Sequence, residues 1–593
     1  SFSRIYHSAG RLILDADHDD GTQLPGSNMM FRVDDSTKMF ISGSGNVGIG
    51  TDSPEQLLHL RSEAPFLAFT DSSNNSESGI LYRNTSGTNV GFALYDFGNN
   101  ELKFRVNSSL RLVIDNNSRI SLSNNDSGGT GGSDSTSANT LLGYLAGDDI
   151  ADGGVNNAYV GHAAGHQSTT GDNNSGFGRY AGFGNKTGDG NTFVGSSAGL
   201  SDNASSHNRN TGVGFEALKS LTTGADNVAI GFKAGDAITS ESSIIVIGRN
   251  AGGVINSTDA VGTVAVGDHS LSALTSGQKT VAIGYEAMLY MTDGDNNTVI
   301  GHTAFRTADN GESDNVVIGR AAGYSINHAS SDQNVIIGSA AGTGGAAAFQ
   351  SNIAIGFAAL NSTGTNAQTG TVAIGDSALT AITDGTGNLA IGYQAMQTED
   401  TGDYSTAVGY QFLQNQNYDG DAGNTMLGYR TGNALTDGIR NVFIGRSAGS
   451  ATTGGNFNVG IGYAALNGNL TGTAAGTIGI GYAAGNGLTT AAANVAIGHQ
   501  AMQVHTTGGG NIAIGYQAMD DTDAGSNSKD SEYNVFIGYS AGGGTWTNAE
   551  CNYNVGVGAF TLDAALAGAL DNTTVGYAGL TSLTSGGSNT TVI

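Results

Sequence analysis

The chain has 593 residues, 95 of them glycine, with only 12% charged residues and a formal net charge of −28. Its length exceeds one ordinary globular core, its apolar fraction of 38% is too high for plain disorder, and its glycines lack the period of three of collagen. The acidic balance argues against nucleic acid as a partner, and no apolar run approaches the roughly 18 residues of a membrane span, so the chain is not expected to span a membrane. The single cysteine, Cys551, leaves no intrachain disulfide and no Cys-based metal site.

In chain order, the first residues, SFSRIYHSAG, show neither the charged nor the apolar region of a signal peptide. Either there is no secretory export or the chain begins inside a longer one. DADHDDG at 15–21 sets Asp15, Asp17 and Asp19 at alternate positions, a spacing that can present oxygens to Ca²⁺. Against this, Asp20 stands where an EF-hand loop needs glycine, and Gly26 stands where it needs glutamate. A solvated acidic turn is the plainer reading, and no other cofactor is expected. Strand patterns follow, among them LKFRV at 102–106 and LRLVI at 110–114, with the stretch GNVGIGTDSPEQLLHL at 45–60 before them. Residues 1–125 are thus expected to form a β-rich segment, 126–138 a Gly/Ser-rich linker, and 139–593 a repeat array.

The array is the dominant signal. An apolar-x-apolar-Gly stretch recurs 25 times, from Gly143 to Gly576, nearly always 17–19 residues apart. Asn stands four residues before the glycine in 19 copies, and Ala three residues after it in 20. The next place is Gly in 12 copies and Leu, Met or Phe in the other 13. A unit this short cannot bury an apolar face alone, but stacked units can. The expected fold is therefore all-β: an elongated parallel β-solenoid of about 25 repeats, roughly 120 Å long at one sheet spacing of about 4.8 Å per coil. Large-small-large at period two predicts that Ile230, Ile283, Ile391 and Ile514 share one buried column. Asn227, Asn388, Asn441 and Asn511 are expected at equivalent turns as an amide ladder. The Gly/bulky alternation reads as two solutions to one corner, a left-handed backbone needing glycine or a side chain filling the same space; the methionines lining a ligand groove is the lesser alternative. No proline follows Pro65, as continuous stacking requires.

Spacings of 17, 17 and 19 also recur and sum to 53, as from Gly161 to Gly214 and Gly214 to Gly267. Either three copies close a three-sided layer within one chain, or every third outer loop is longer for another reason. The two longest spacings hold DDTDAGSNSKDSEYN at 520–534 and GGGTWTNAECNYN at 542–554. Trp546 and Tyr553 in the second loop are candidate surface-binding residues, against an ordinary tolerated insertion. GSGNVGIG and GFGRYAGFG superficially match a dinucleotide fingerprint but sit in no βαβ unit. No Ser/His/Asp or paired-carboxylate constellation points to catalysis, so an enzyme such as a fibre-borne depolymerase is not expected.

GNVGIGTDSPEQLLHL resembles the GNVGIGT-x-SP-x-x-x-LH motif of bacteriophage tail fibres. The N-x-A-I-G-Y-x-A copies resemble fibre repeats and the head repeats of trimeric autotransporter adhesins. The resemblance implies an extracellular fibre on a virion tail, a homotrimer whose loops meet a host cell-surface glycan or protein. It also implies that Pro54 starts a turn or short helix and that Leu57, Leu58 and Leu60 pack. The alternative is a non-viral extracellular filament or surface adhesin of a microbe. The self-cleaving terminal chaperone of many tail fibres is missing, and NTTVI breaks off in mid-repeat, so the chain is expected to belong to a longer polypeptide.

Overall fold

A computed structural model describes, in the array, residues 138–150, 154–201, 205–362, 364, 366–522, 528–547, 549–584 and 589–593. Before the array it describes residues 4–8, 11–15, 28–33, 36–61, 77–84, 86, 89–96, 101–106, 109–114 and 120–121. The chain divides after Asn125 into two compact units, and most of the expected linker lies outside the described residues.

The amino-terminal unit is built from small sheets. Arg4–Ser8 pairs with Arg11–Asp15, and Glu77–Arg83, Asn89–Asp96, Glu101–Val106, Ser109–Ile114 and Ile120–Ser121 form an antiparallel meander. In the GNVGIGT stretch, Val47–Ile49 lies between Ser36–Ile41, antiparallel, and Leu58–Leu60, parallel. Asn46 Nδ2 donates to the Pro54 carbonyl at 3.2 Å and closes the intervening turn, which contains no helix. The packing expected of its leucines is not found within one chain: Leu57 is 76% exposed and Leu58 50%.

In the second unit every copy is one coil. Its three-residue strands form a single parallel sheet of 26, from Thr140–Leu142 to Thr591–Val592. Register is constant, with Val213, Ile230, Ile247 and Val266 in direct succession. The 53-residue rhythm therefore does not close a three-sided layer, since consecutive copies stack on one another rather than side by side.

The inside and outside of the strand are opposite to expectation. Ile230 and Ile283 are 39% and 37% exposed, and Ile391 and Ile514 are only partly buried. They do share one column, but it faces outward. The buried residue is the one between the two large ones, Ala229, Ala282, Ala390 and Ala513, all at 0%. A three-residue strand directs one residue to each side alternately, and the coil is too thin for a large side chain under every strand.

The Gly/bulky alternation follows from that limited volume. The place four after the repeat glycine is left-handed in all 25 coils, for example φ 56° at Gly199, 51° at Leu218 and 50° at Met288. Backbone shape is thus the same in both versions, and what differs is which side chain fills the interior. Where the strand's middle residue is large, as Phe193 or Phe443, the corner is Gly199 or Gly449, and a Cβ there would strike the ring. Where the corner is Met288, Met396 or Met519, the middle residue is Ala282, Ala390 or Ala513. Those methionines are fully buried and line no groove. In most coils one of these two places holds the larger side chain and the other a small residue, which keeps packing close to the native density without overpacking.

The Asn column carries the second vertical ladder. Asn441 Oδ1 accepts the Asn458 N–H at 2.9 Å, one coil on, and its Nδ2 donates to the Gly455 carbonyl at 2.7 Å. Asn227, Asn388 and Asn511 make the same pair of bonds, and all four are at most 1% exposed. Removing one amide orphans a buried N–H and a buried C=O. Asn441→Ala is accordingly expected to destabilise its coil by about 2–4 kcal/mol, read as faster amide exchange at Asn458 and its neighbours. Unchanged exchange there would show the ladder to be ornamental.

Candidate functional site: the outward sheet face

Because the middle strand residue points in, the first and third point out, and the residue after the repeat glycine lies alongside them. Val535, Ile537 and Tyr539 make one such row, with Tyr533 at its other edge. Repeated along the array, these rows give an apolar face. At about 4.8 Å per coil and about 3.3 Å per strand residue, 25 rows span on the order of 1,500 Å², mostly apolar but interrupted by residues such as Thr298, Arg249 and Asp268. Monomers rarely expose more than a few hundred Å² of contiguous apolar surface, and a standard interface takes about 800 Å² from each partner.

The column after the glycine is Tyr, Phe or His in 16 of 25 coils, enough to make near-continuous aromatic ladders. Tyr463, Tyr482, His499, Tyr516 and Tyr539 stack with ring centroids 4.8–5.3 Å apart and planes within 6–10°. Tyr393, Tyr410 and Tyr429 form a second run at 5.2 and 5.7 Å. Arg446 bridges the two runs, its guanidinium 5.7 Å from Tyr429 and 5.6 Å from Tyr463. Stacked rings cover one another's faces, so their edges and hydroxyls are what the surface presents. Each contact adds on the order of 0.5–1.5 kcal/mol beyond area burial. The column's few charges are partly paired within the chain, as Arg249 with Asp268 at 2.7 Å.

Of the candidate surface residues, Tyr553 is 55% exposed and stacks on Tyr533 at 5.5 Å. Trp546 is not on the surface. It is fully buried, edge-on to Phe536 at 5.9 Å, and its Nε1 donates to the Gly542 carbonyl at 3.1 Å. It packs on Phe536, the ring that the Gly542 corner accommodates. Asp15 ends the strand Arg11–Asp15, whereas Asp17 and Asp19 lie outside the described residues. Among the described residues no group of His, Cys, Asp or Glu could hold a metal ion, and no helix is long and apolar enough to cross a membrane.

Several ionisable groups are enclosed within the coils. Glu399 Oε1 accepts the Gly402 N–H at 2.7 Å, and burial raises its pKa. Glu312 is fully buried with neither carboxylate oxygen hydrogen-bonded, and burial, with Asp309 adding, pushes its pKa up to about 7. The folded state therefore holds this proton more readily than the unfolded chain does. The penalty for ionising it is absent below the unfolded value near pH 4.5, grows as pH rises towards 7, and then stays constant. Glu312→Gln should protect this coil by about 3 kcal/mol at pH 8 and hardly at all at pH 4, read by local hydrogen exchange. His505 acts in the opposite sense: burial lowers its pKa to about 4, so its contribution is intact above pH 6.5 and falls away as acid protonates the unfolded chain first.

Comparison with protein-family models, with curated proteins and with solved structures gives no match in any of the three. The geometry alone defines the class: a parallel β-solenoid that carries a long, regular and mostly apolar sheet face among its described residues.

Proposed function

We propose that this chain is a structural and adhesive fibre protein, of the kind that forms phage tail fibres, and that its outward face joins three copies about a common axis. The observation that carries the reading is the face itself, the Ile230–Ile283 column with the aromatic column beside it, repeated in register over the array. Such a surface is costly in water, and a second copy supplies a partner of matching period and shape. The amino-terminal unit supports this independently. It exposes Leu57, Leu58 and Ile49 in the fibre-like motif, and Tyr82, Phe104 and Val106 on its meander.

In this reading the particle is extracellular and spans distance rather than catalysing a reaction. Avidity from three copies strengthens weak contacts between its outer loops and a host-surface glycan or protein. A free microbial filament or surface adhesin of the same construction is the second reading, favoured by the regularity of the array. Electron micrographs of native material separate the two: rods attached to virions support the tail fibre, and long free filaments support the other. Particles of single-chain thickness, unattached and unjoined, would sink both.

A further inference from the structure

The repeat provides its own control for finding a site, because each place in the coil can be compared across 25 copies. On the face that follows the repeat glycine, the fifth place is nearly always polar or glycine, as in Asp236, Thr380, Gln414, Asn433, Asn467 and Asp520. Three consecutive coils break the rule with His166, Phe183 and Leu200, while only Leu289 and Tyr324 are apolar or aromatic elsewhere. The second place is likewise small or polar in most coils, yet Leu145 and Tyr180 fall beside the same three. These departures coincide on a cleft of about 340 Å³, lined by Leu145, His162, His166, Tyr180, Phe183 and Leu200.

The cleft has a definite chemistry. His166 stacks on Phe183 at 5.2 Å and 25°, and Tyr180 stands edge-on to Phe183 at 5.4 Å and to His162 at 5.4 Å. The Arg179 guanidinium lies 4.4 Å over the Tyr180 ring. Among the described residues no Asp, Glu, Lys or Arg lines the cleft, and Asp149 comes within 3.9 Å of His166 Nδ1. That Nδ1 is buried without a hydrogen bond. The described walls thus offer apolar ring surface together with two imidazoles and a phenol that can bond hydroxyls, and among them no fixed charge to hold an ion. A volume near the lower end of small-molecule sites, about 300–1,000 Å³, suits one ring.

We propose that this cleft binds a single neutral pyranose ring, its C–H face against Phe183 and Tyr180 and its hydroxyls towards His166 and the Tyr180 phenol, both outside the column that joins copies. The proposal deepens the adhesive reading above and rests on it, since it names the class of surface molecule engaged. Self-association through the sheet face does not depend on it. A single sugar of about a dozen non-hydrogen atoms should bind in about the millimolar range.

The test is saturation-transfer NMR on the full chain with methyl glycosides of glucose, galactose, mannose and N-acetylglucosamine, and phenol as a flat apolar control. Phe183→Asn and His166→Asn install the residue that Asn433, Asn467 and Asn486 place at this position, so the coil tolerates them. Expected is saturable binding of at least one glycoside, weakened about tenfold or more in both variants, with thermal unfolding and native mass unchanged. No saturable glycoside binding, binding of phenol alone, or equal binding by the variants would each overturn the proposal. A native mass of one chain with glycoside binding intact would instead overturn the assembly reading and leave the cleft standing.

Discussion

Gly284→Ala is expected to break the array at its own coil. Gly284 has φ +143°, a conformation that side chains rarely adopt, and a Cβ there would overlap the Gly301 carbonyl oxygen of the next coil. The obstacle is backbone held in a ladder, with the Gly301 N–H bonded to the Ile283 carbonyl at 2.8 Å, so it cannot swing aside as a flexible side chain would. Strain and clash together should cost at least about 4 kcal/mol. Hydrogen exchange should show open amides over the two or three coils around residue 284, with distant coils protected, because each coil touches only its neighbours. Gly420→Ala is the internal control: its φ is +105°, but no atom lies within 4 Å of the added Cβ. It should lose only the conformational part, about 1–3 kcal/mol. Equal effects at the two sites would mean that contact between coils is not what requires glycine.

The second large effect concerns the outward face. Ile283→Lys, Ile300→Lys, Ile318→Lys and Ile337→Lys together should leave the coils folded and abolish assembly. Within one chain these side chains are a third exposed or only partly buried, so lysine can extend into water there. Between copies the same four positions would bury unpaired ammonium groups, each costing several kcal/mol, and association should weaken by well over about a thousandfold. Circular dichroism should be unchanged while sedimentation shifts to single chains. If the variant still assembles, the face is not the joint.

The solenoid itself was legible in the sequence because its period, glycine and asparagine all answer to one coil. Asn227, Asn388, Asn441 and Asn511 could be placed by spacing alone. Which way the strand faces could not, because hydrophobicity sorts Ile from Ala but does not report how thin a coil is. A large residue is assigned to the interior by default, and here Ala282 takes that place while Ile283 faces out. The opposite assumption misplaced Trp546, whose uniqueness in the sequence suggested a surface role although it packs inside against Phe536. The aromatic column after the glycine was readable as Gly-Tyr, Gly-Phe or Gly-His, yet its meaning depends on knowing that its neighbours in the strand are also outside. The cleft at Tyr180 and Phe183 needs two places compared across consecutive coils, a signal that emerges only once coil positions are fixed in space.

The proposed joint between copies is the apolar sheet face. Native mass, measured by sedimentation equilibrium or mass photometry at sub-micromolar concentration, tests it most directly. The expected value is about three times the 59.7 kDa of the chain, falling to one times that value in the four-lysine variant. A native chain that stays at 59.7 kDa at every concentration, with its Ile and Tyr columns open to water, would contradict it.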